Sequence, residues 1–563
     1  MIEAAEIKPE HLLIAPLLIP FAAGVLMLFY DDRRRWLKFG MGLASVLALG
    51  VVSWQLIGRA DEDAMLRVYL LGNWPVPMGI VLVLDRLSAM MVMLTAVLAL
   101  PALIYAAAGW QGKGQHFHTL FQFLLFGMNG AFLTGDLFNL FVFFEVMLAA
   151  SYGLVLHGSG PVRIRAGLHY IAINLTASLL FLIGVALIYG VTGTLNMAQI
   201  AHLSRDLGTG QRPLFHAGAA MLGLAFLIKA AIWPLGFWLP RTYDAAASPV
   251  AAVMTLMSKV GVYAVLRIAL LCFAPGAGES AGFGGAVLMM AGTATMVYGA
   301  LGVMASERLA RHAGHIVLIS SGTIIAVTGF TVLGGGARML AGALFYMIGS
   351  TVAASALYLL AEMVERQEPV DEIDESGEPQ PAPPDMVRGL EWGPMGLGAV
   401  EDSDEPATAL PGSIVTVGAL FAAIAAVLAG LPPFAGFLGK FTMVSGMFAA
   451  ASNLGTIPPM VWVFVLVLLA SGFAVLVSLL RFGINRFWVE TENRPRVLVL
   501  EIVPVALLLT GIVLMTFQAE DVTRMTLEAA DGLIEGRYAA TVMAVHPVDP
   551  GATPQMDNGD VAP

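Results

Sequence analysis

Cysteine is nearly absent: Cys272 is the single one in 563 residues, and it lies in an apolar run. That excludes iron–sulfur clusters and structural zinc built on cysteine ligands, and any disulfide framework within the chain. Charge is scarce too. Asp, Glu, Lys and Arg make up 12% of the residues, about half of what an average soluble domain carries. There is no Gly-x-x-x-x-Gly-Lys-Ser/Thr phosphate loop, no Rossmann glycine fingerprint and no His-Glu-x-x-His pair. Nucleotide, redox-cofactor and peptide-hydrolysis chemistry therefore have no motif to stand on. The net charge of -11 is concentrated in one acidic stretch and a tail, so no surface suited to nucleic acid is expected. No cofactor and no metal are expected either.

What is abundant is apolar surface. The chain is 58% hydrophobic, with a mean hydropathy of +0.80. No globular interior is large enough to hide that much, so the bilayer is the expected solvent. A crossing helix needs about 20 mostly apolar residues. By that measure the spans fall at 12–30, 37–57, 79–107, 118–134, 137–156, 166–190, 214–239, 245–272, 284–304, 312–333, 338–363, 413–448, 460–480 and 499–518. The expected fold is an all-α polytopic membrane protein of about fourteen transmembrane helices. The first stretch ends in Asp31, Asp32, Arg33, Arg34 and Arg35. It lacks the basic start of a signal peptide and is read as a retained span. With the N-terminus outside, most Lys and Arg fall in inner connections, Arg33, Arg34, Arg35, Arg308 and Arg311 among them. Both termini are then expected on the outer side of a cell inner membrane. The stretch 365–409 is rich in Asp, Glu and Pro and reads as an acidic insertion. Residues 519–563 read as a polar tail.

Ionisable groups inside the spans are few and costly, about 2.5–3.5 kcal/mol each at the bilayer centre. Glu145 lies mid-span in Leu-Phe-Val-Phe-Phe-Glu-Val-Met-Leu. It is a candidate proton donor and acceptor, the plainer alternative being a carboxylate bonded across helices. Lys229 is equally deep. Desolvation disfavours an ammonium, so such a lysine holds its proton only while a carboxylate nearby stays charged. Pro234 follows and interrupts the helix beside it. Pro432 and Pro433 interrupt a later span, with Lys440 two turns on. Broken helices at matching places in two halves point to an internal repeat and a transport site. Lys259 is a further mid-helix lysine, suited to a relay between Lys229 and Lys440. Arg267 reads as structural or snorkelling, and Asp85 with Arg86 as neutralising neighbours or more. His312 and His315, spaced i,i+3 at a span entrance, suit a proton path or a cap better than a metal. His169 begins a span and suits proton entry and interfacial anchoring equally.

Five strings carry a resemblance: Thr134-Gly-Asp-Leu-Phe-Asn-Leu-Phe-Val-Phe-Phe-Glu145, Ile228-Lys-Ala-Ala-Ile-Trp-Pro234, Ser248-Pro-Val, Ser258-Lys-Val-Gly-Val-Tyr263 and Leu431-Pro-Pro-Phe-Ala-Gly-Phe-Leu-Gly-Lys440. Over about 80–520 the chain resembles the antiporter-like subunits shared by Mrp-type (Pha/Mnh) multisubunit cation/proton antiporters and respiratory NADH:quinone oxidoreductase, the D-type subunit most of all. The resemblance implies two inverted five-helix repeats at 118–272 and 284–480, after N-terminal helices in 1–107 and before a last helix at 499–518. It implies an ion pair of Glu145 with Lys229, continued by Lys259 and Lys440 as a lateral proton path. It implies other antiporter subunits as partners, with protons and Na⁺ or K⁺ as cargo. A proton-pumping subunit of a quinone oxidoreductase or membrane hydrogenase is the alternative, and a structural membrane scaffold the non-transport one.

Overall fold

The computed structural model describes residues 9–62, 66–76, 78–366, 413–452, 458–487 and 498–545. Beyond Arg366, the acidic stretch expected at 365–409 lies outside the described residues. So does the part of the tail from residue 546.

The described residues are helical nearly throughout. Helices α1 (Ala15–Leu28), α2 (Arg35–Glu62), α3 (Arg86–Ala107), α4 (Phe117–Leu133), α5 (Leu137–Val155) and α6 (Pro161–Thr192) come first. After a short α7 (Met197–Arg205), a long apolar stretch divides into α8 (Arg212–Lys229) and α9 (Trp238–Ala245). Then follow α10 (Ser248–Phe273), α11 (Gly285–Ala305), α12 (Leu309–Val332) and α13 (Ala337–Glu365). The expected span 413–448 is likewise two helices, α14 (Ser413–Ala429) and α15 (Ala435–Ser452). α16 (Pro459–Phe487) and α17 (Val499–Phe517) complete the apolar set. Among the described residues, eleven helices are long and apolar enough to cross a membrane. This is a multi-pass membrane protein.

Local chemistry sets the helix starts. Asp85 caps α3 in a reciprocal box with Ser88, and Asp136 caps α5 by accepting from the Asn139 N–H. Proline occupies the first turn of α6, α8 and α10, where the missing N–H is harmless. Between α1 and α2, Asp32 accepts from the buried Lys38 amine at 2.5 Å. Burial pushes the Asp32 carboxyl up, but the Lys38 bond and charge outweigh it and hold the group below its ordinary value.

Two expectations need correction. The span placed at 79–107 begins with a strand, β2 (Val81–Leu84), antiparallel to β1 (Arg67–Leu70) with Arg67 opposite Leu84. A short buried strand and a buried helix are equally apolar, so hydropathy alone merged them. The stretch read as a polar tail holds two helices, α18 (Ala519–Ile534) and α19 (Arg537–Ala544). α18 buries Met525, Ala529 and Leu533 on one stripe and packs on α13 and α3. Short amphipathic helices of this kind depend on docking rather than on hydropathy.

α10, α12 and α13 form the centre: 94% of the apolar window of each is buried, against 39% for α6 and 28% for α17. In order of packing, α5, α6, α8, α10, α12, α13 and α15 make an unbroken row of neighbours.

Candidate functional site: a row of buried polar groups

Two half-helices end in the same way. At α8, Ile232 N–H donates to the Leu227 carbonyl at 2.9 Å and Ala231 N–H to Ile228 at 3.0 Å. At α14, Leu431 N–H donates to Ala426 at 3.0 Å and Gly430 N–H to Val427 at 3.1 Å. Each is a closing pair of six-to-one and five-to-two bonds around a left-handed residue. That residue is Ala231 (φ 57) in the first and Gly430 (φ 82) in the second. Pro234 in one case, Pro432 and Pro433 in the other, then keep the helix from resuming.

Lys229 is the last residue of α8 and is 5% exposed. Its amine donates to the Ser178 hydroxyl of α6 at 3.3 Å. Ser178 in turn donates to Glu145 Oε1 of α5 through a short hydrogen bond. The expected Glu145–Lys229 pair is thus joined through a serine. The Phe144 ring lies 5.0 Å from the Lys229 amine. The carbonyl of Ile228 accepts a second bond from the Trp238 indole N–H at 3.2 Å, and Trp233 N–H finds the Thr295 hydroxyl at 2.9 Å. Glu145 itself is half-buried.

Lys259 is 1% exposed, and its amine donates to Ser321 of α12 at 2.8 Å and to the Val317 carbonyl at 3.4 Å. Two residues on, Gly261 lets α10 pass against the first break: a Cβ there would lie 2.7 Å from the Ala230 nitrogen. Lys440 of α15 turns back to the Ala429 carbonyl, the end of α14, at 3.2 Å, beneath the Tyr346 ring of α13 at 5.7 Å.

The histidines fare differently. His312 is buried, with Nδ1 donating to the Arg308 carbonyl at 2.8 Å and Nε2 2.8 Å from Ser478 Oγ. Ser478 also reaches the Val303 carbonyl at 2.9 Å. Its one hydroxyl proton serves either Nε2 or that carbonyl, so His312 has room for one proton or two. His315 stands against Gly302 and Tyr298, with Nδ1 buried and unbonded. His169 is exposed on α6 and joins none of these groups. At 32 residues that helix is about 48 Å long, more than the roughly 30 Å of the hydrocarbon layer. Among the described residues no group of three His, Cys, Asp or Glu is arranged to hold a metal.

Arg267 does not snorkel. It is buried and forks onto Asp85, with a second donation to the Tyr263 hydroxyl at 2.9 Å. Arg86 pairs with Glu528 of α18 at 2.7 Å, so these charges fasten the C-terminal helices to the bundle. Ser178 and Ser321 were not singled out from the sequence. The available signal was the Asn174/Ser178 pair, one turn apart on the buried face of an otherwise apolar helix.

The row sets titratable and hydroxyl groups on neighbouring helices across the bundle. Residues 134–384 match the family described as NADH:quinone oxidoreductase/Mrp antiporter, transmembrane. The chain is 47% identical to the D subunit of a probable K⁺/H⁺ antiporter of Rhizobium meliloti, over 93% of this chain and 96% of that one. It is 32% identical to the D subunit of the Na⁺/H⁺ antiporter of Alkalihalophilus pseudofirmus, over 93% and 98%. A chain of the Mrp complex from Dietzia sp. DQ12-45-1b has the same fold, with a TM-score of 0.76 at 24% identity over 95% of this chain and 99% of that one. The protein belongs to the D-type family of Mrp monovalent cation/proton antiporter subunits, homologous to the antiporter-like subunits of NADH:quinone oxidoreductase.

Proposed function

We propose that this chain is the proton-translocating subunit of a multisubunit Na⁺(K⁺)/H⁺ antiporter. It works as a secondary transporter, with proton entry driving cation efflux. Its partners are the other subunits of an Mrp-type complex, and its site is a cell inner membrane.

The observation that carries this reading is the Glu145–Ser178–Lys229 bridge beside a broken helix. An ammonium buried in a low dielectric is held by the carboxylate across the serine. When Glu145 gains a proton or its charge is drawn away, Lys229 loses that support and releases its own. Lys259 takes the proton onward along the row, and Lys440 ends it. His312 and His315 lie at one end of α12 and suit proton access. The fourteen spans arise by joining α8 with α9 and α14 with α15, each as one broken crossing. Two inverted five-helix repeats, 118–272 and 284–480, then each contain one break, and both termini lie outside. The antiporter reading is preferred over a redox-driven pump because the relatives matched over nearly their whole length are named for exchange of K⁺ or Na⁺ against H⁺.

The test is cation-dependent collapse of a pH gradient in everted vesicles carrying the assembled complex. Lys229→Ala and Glu145→Ala each abolish it while subunit levels stay normal. Full exchange by either variant would refute the reading.

A further inference from the structure

Lys229 and Lys259 belong to different elements, the end of α8 and the middle of α10. Transfer between two groups depends steeply on their separation and orientation. A step between these lysines therefore requires their elements to be held in register, and a closed ring of contacts runs through both.

The ring starts where α8 meets α10. Gly261 brings α10 against the Lys229–Ala230 backbone: a Cβ there would lie 2.7 Å from the Ala230 nitrogen and 3.0 Å from the Lys229 carbonyl carbon. Lys259, on the same stretch of α10, donates to Ser321 of α12 at 2.8 Å. Gly322 follows Ser321, and a Cβ on it would lie 2.9 Å from Thr295 Cβ, so α12 and α11 touch at that level. The ring then returns to its start. The Trp233 N–H, just past the closing pair of α8, donates to Thr295 Oγ1 at 2.9 Å.

Thr295 is suited to that last link. It is fully buried, and its hydroxyl gives its one proton to the Ala291 carbonyl of its own helix at 2.6 Å. What it turns to the break is an acceptor. A backbone N–H at a break inside the membrane needs one, because lipid supplies none. Among the described residues, Thr293 of the same helix bonds only inward, to the Met289 carbonyl at 2.8 Å. The bond to Trp233 also joins the proposed repeats, since the break lies in the first and α11 opens the second.

We propose that Thr295 is a positioning residue for the step from Lys229 to Lys259: its hydroxyl ties the first break to α11 and closes the ring that sets the separation of the two lysines. This inference rests on the antiporter reading. In that step the Lys229 ammonium gives up a proton and becomes a neutral amine, and the Lys259 amine takes it and becomes an ammonium. Thr295 exchanges no proton with either and acts through the Trp233 backbone.

The everted-vesicle assay tests it, with rates compared per assembled complex and Lys229→Ala as the control for the parent reading. Lys229→Ala is expected to abolish exchange. Thr295→Val keeps the side-chain shape and removes the acceptor, and exchange is expected to fall about tenfold or more. Thr295→Ser keeps the hydroxyl and should retain most of the rate. Thr295→Cys, whose sulfur is a weaker acceptor, should lie between the two and serves if Thr295→Val assembles poorly. Thr293→Val, the same change on a hydroxyl outside the ring, should exchange normally. If Thr295→Val and Thr295→Cys exchange at the unaltered rate while Lys229→Ala is inactive, the inference is wrong and the parent reading stands. If Thr295→Ser or Thr293→Val is as slow as Thr295→Val, the bond to Trp233 is not what matters, and the inference is again wrong. If Lys229→Ala exchanges normally, both fall together.

Discussion

The two broken helices close alike but place their lysines differently. Lys229 precedes its break, as the last residue of α8. Lys440 follows its break, on the second half-helix, and reaches back to the end of the first. The consequence is electrostatic. The carbonyl end of a helix carries a fixed partial negative charge, so Lys440 leans on a partner that cannot titrate. At the first break the lysine lies before the turn, and the Ile228 carbonyl there accepts from Ala231 and from the Trp238 indole. The Lys229 amine is left to Ser178 and, through it, to a carboxylate that can titrate. One lysine is therefore tied through a serine to a carboxylate and the other to a fixed dipole.

That contrast can be broken from either side. The largest effect is expected where Lys229 is removed. Lys229→Ala should lower exchange by about a hundredfold or more, measured as cation-dependent gradient collapse at matched subunit levels. Next comes the bridge. Ser178→Ala removes one hydroxyl from each side's bonding, and bonds to charged groups contribute roughly 1.5–3 kcal/mol. Exchange should fall about tenfold, and Ser178→Thr should restore most of it.

Packing at the breaks gives smaller effects, read as thermal stability of the purified complex. Gly261→Val forces side-chain atoms onto the Lys229–Ala230 backbone. Overpacking of that kind costs about 1–3 kcal/mol. Gly430→Ala puts a Cβ 2.9 Å from the Lys440 amine and strains a left-handed residue, at a cost of about 1–2 kcal/mol. The reciprocal change is the smallest. Ala231→Gly relieves the same left-handed strain in the first break and should raise stability by up to about 1 kcal/mol. A loss of stability there would mean that the two breaks are not built on one plan.

The lysines, Glu145 and both breaks were legible in the sequence for one reason. A charge or a proline inside an apolar run has few harmless explanations. Ser178 and Ser321 were not legible, because serine is cheap in a membrane helix and gains meaning only from what it faces. Thr295 was hidden in the same way, as one of several threonines in apolar helices. The strand Val81–Leu84 and the helices α18 and α19 escaped because hydropathy counts apolar residues and does not see pairing or docking. The buried Arg267–Asp85 fork joins residues 182 positions apart, a partnership no local pattern could signal.

The most direct test of the proposed function is Glu145→Gln. It keeps the length of the side chain and a hydrogen-bond acceptor for Ser178 but can no longer carry charge. In vesicles with normal amounts of the assembled complex, cation-dependent proton exchange should disappear in Glu145→Gln and persist in Glu145→Asp. Exchange at the unaltered rate in Glu145→Gln would contradict the claim that a titrating carboxylate governs the Lys229 proton.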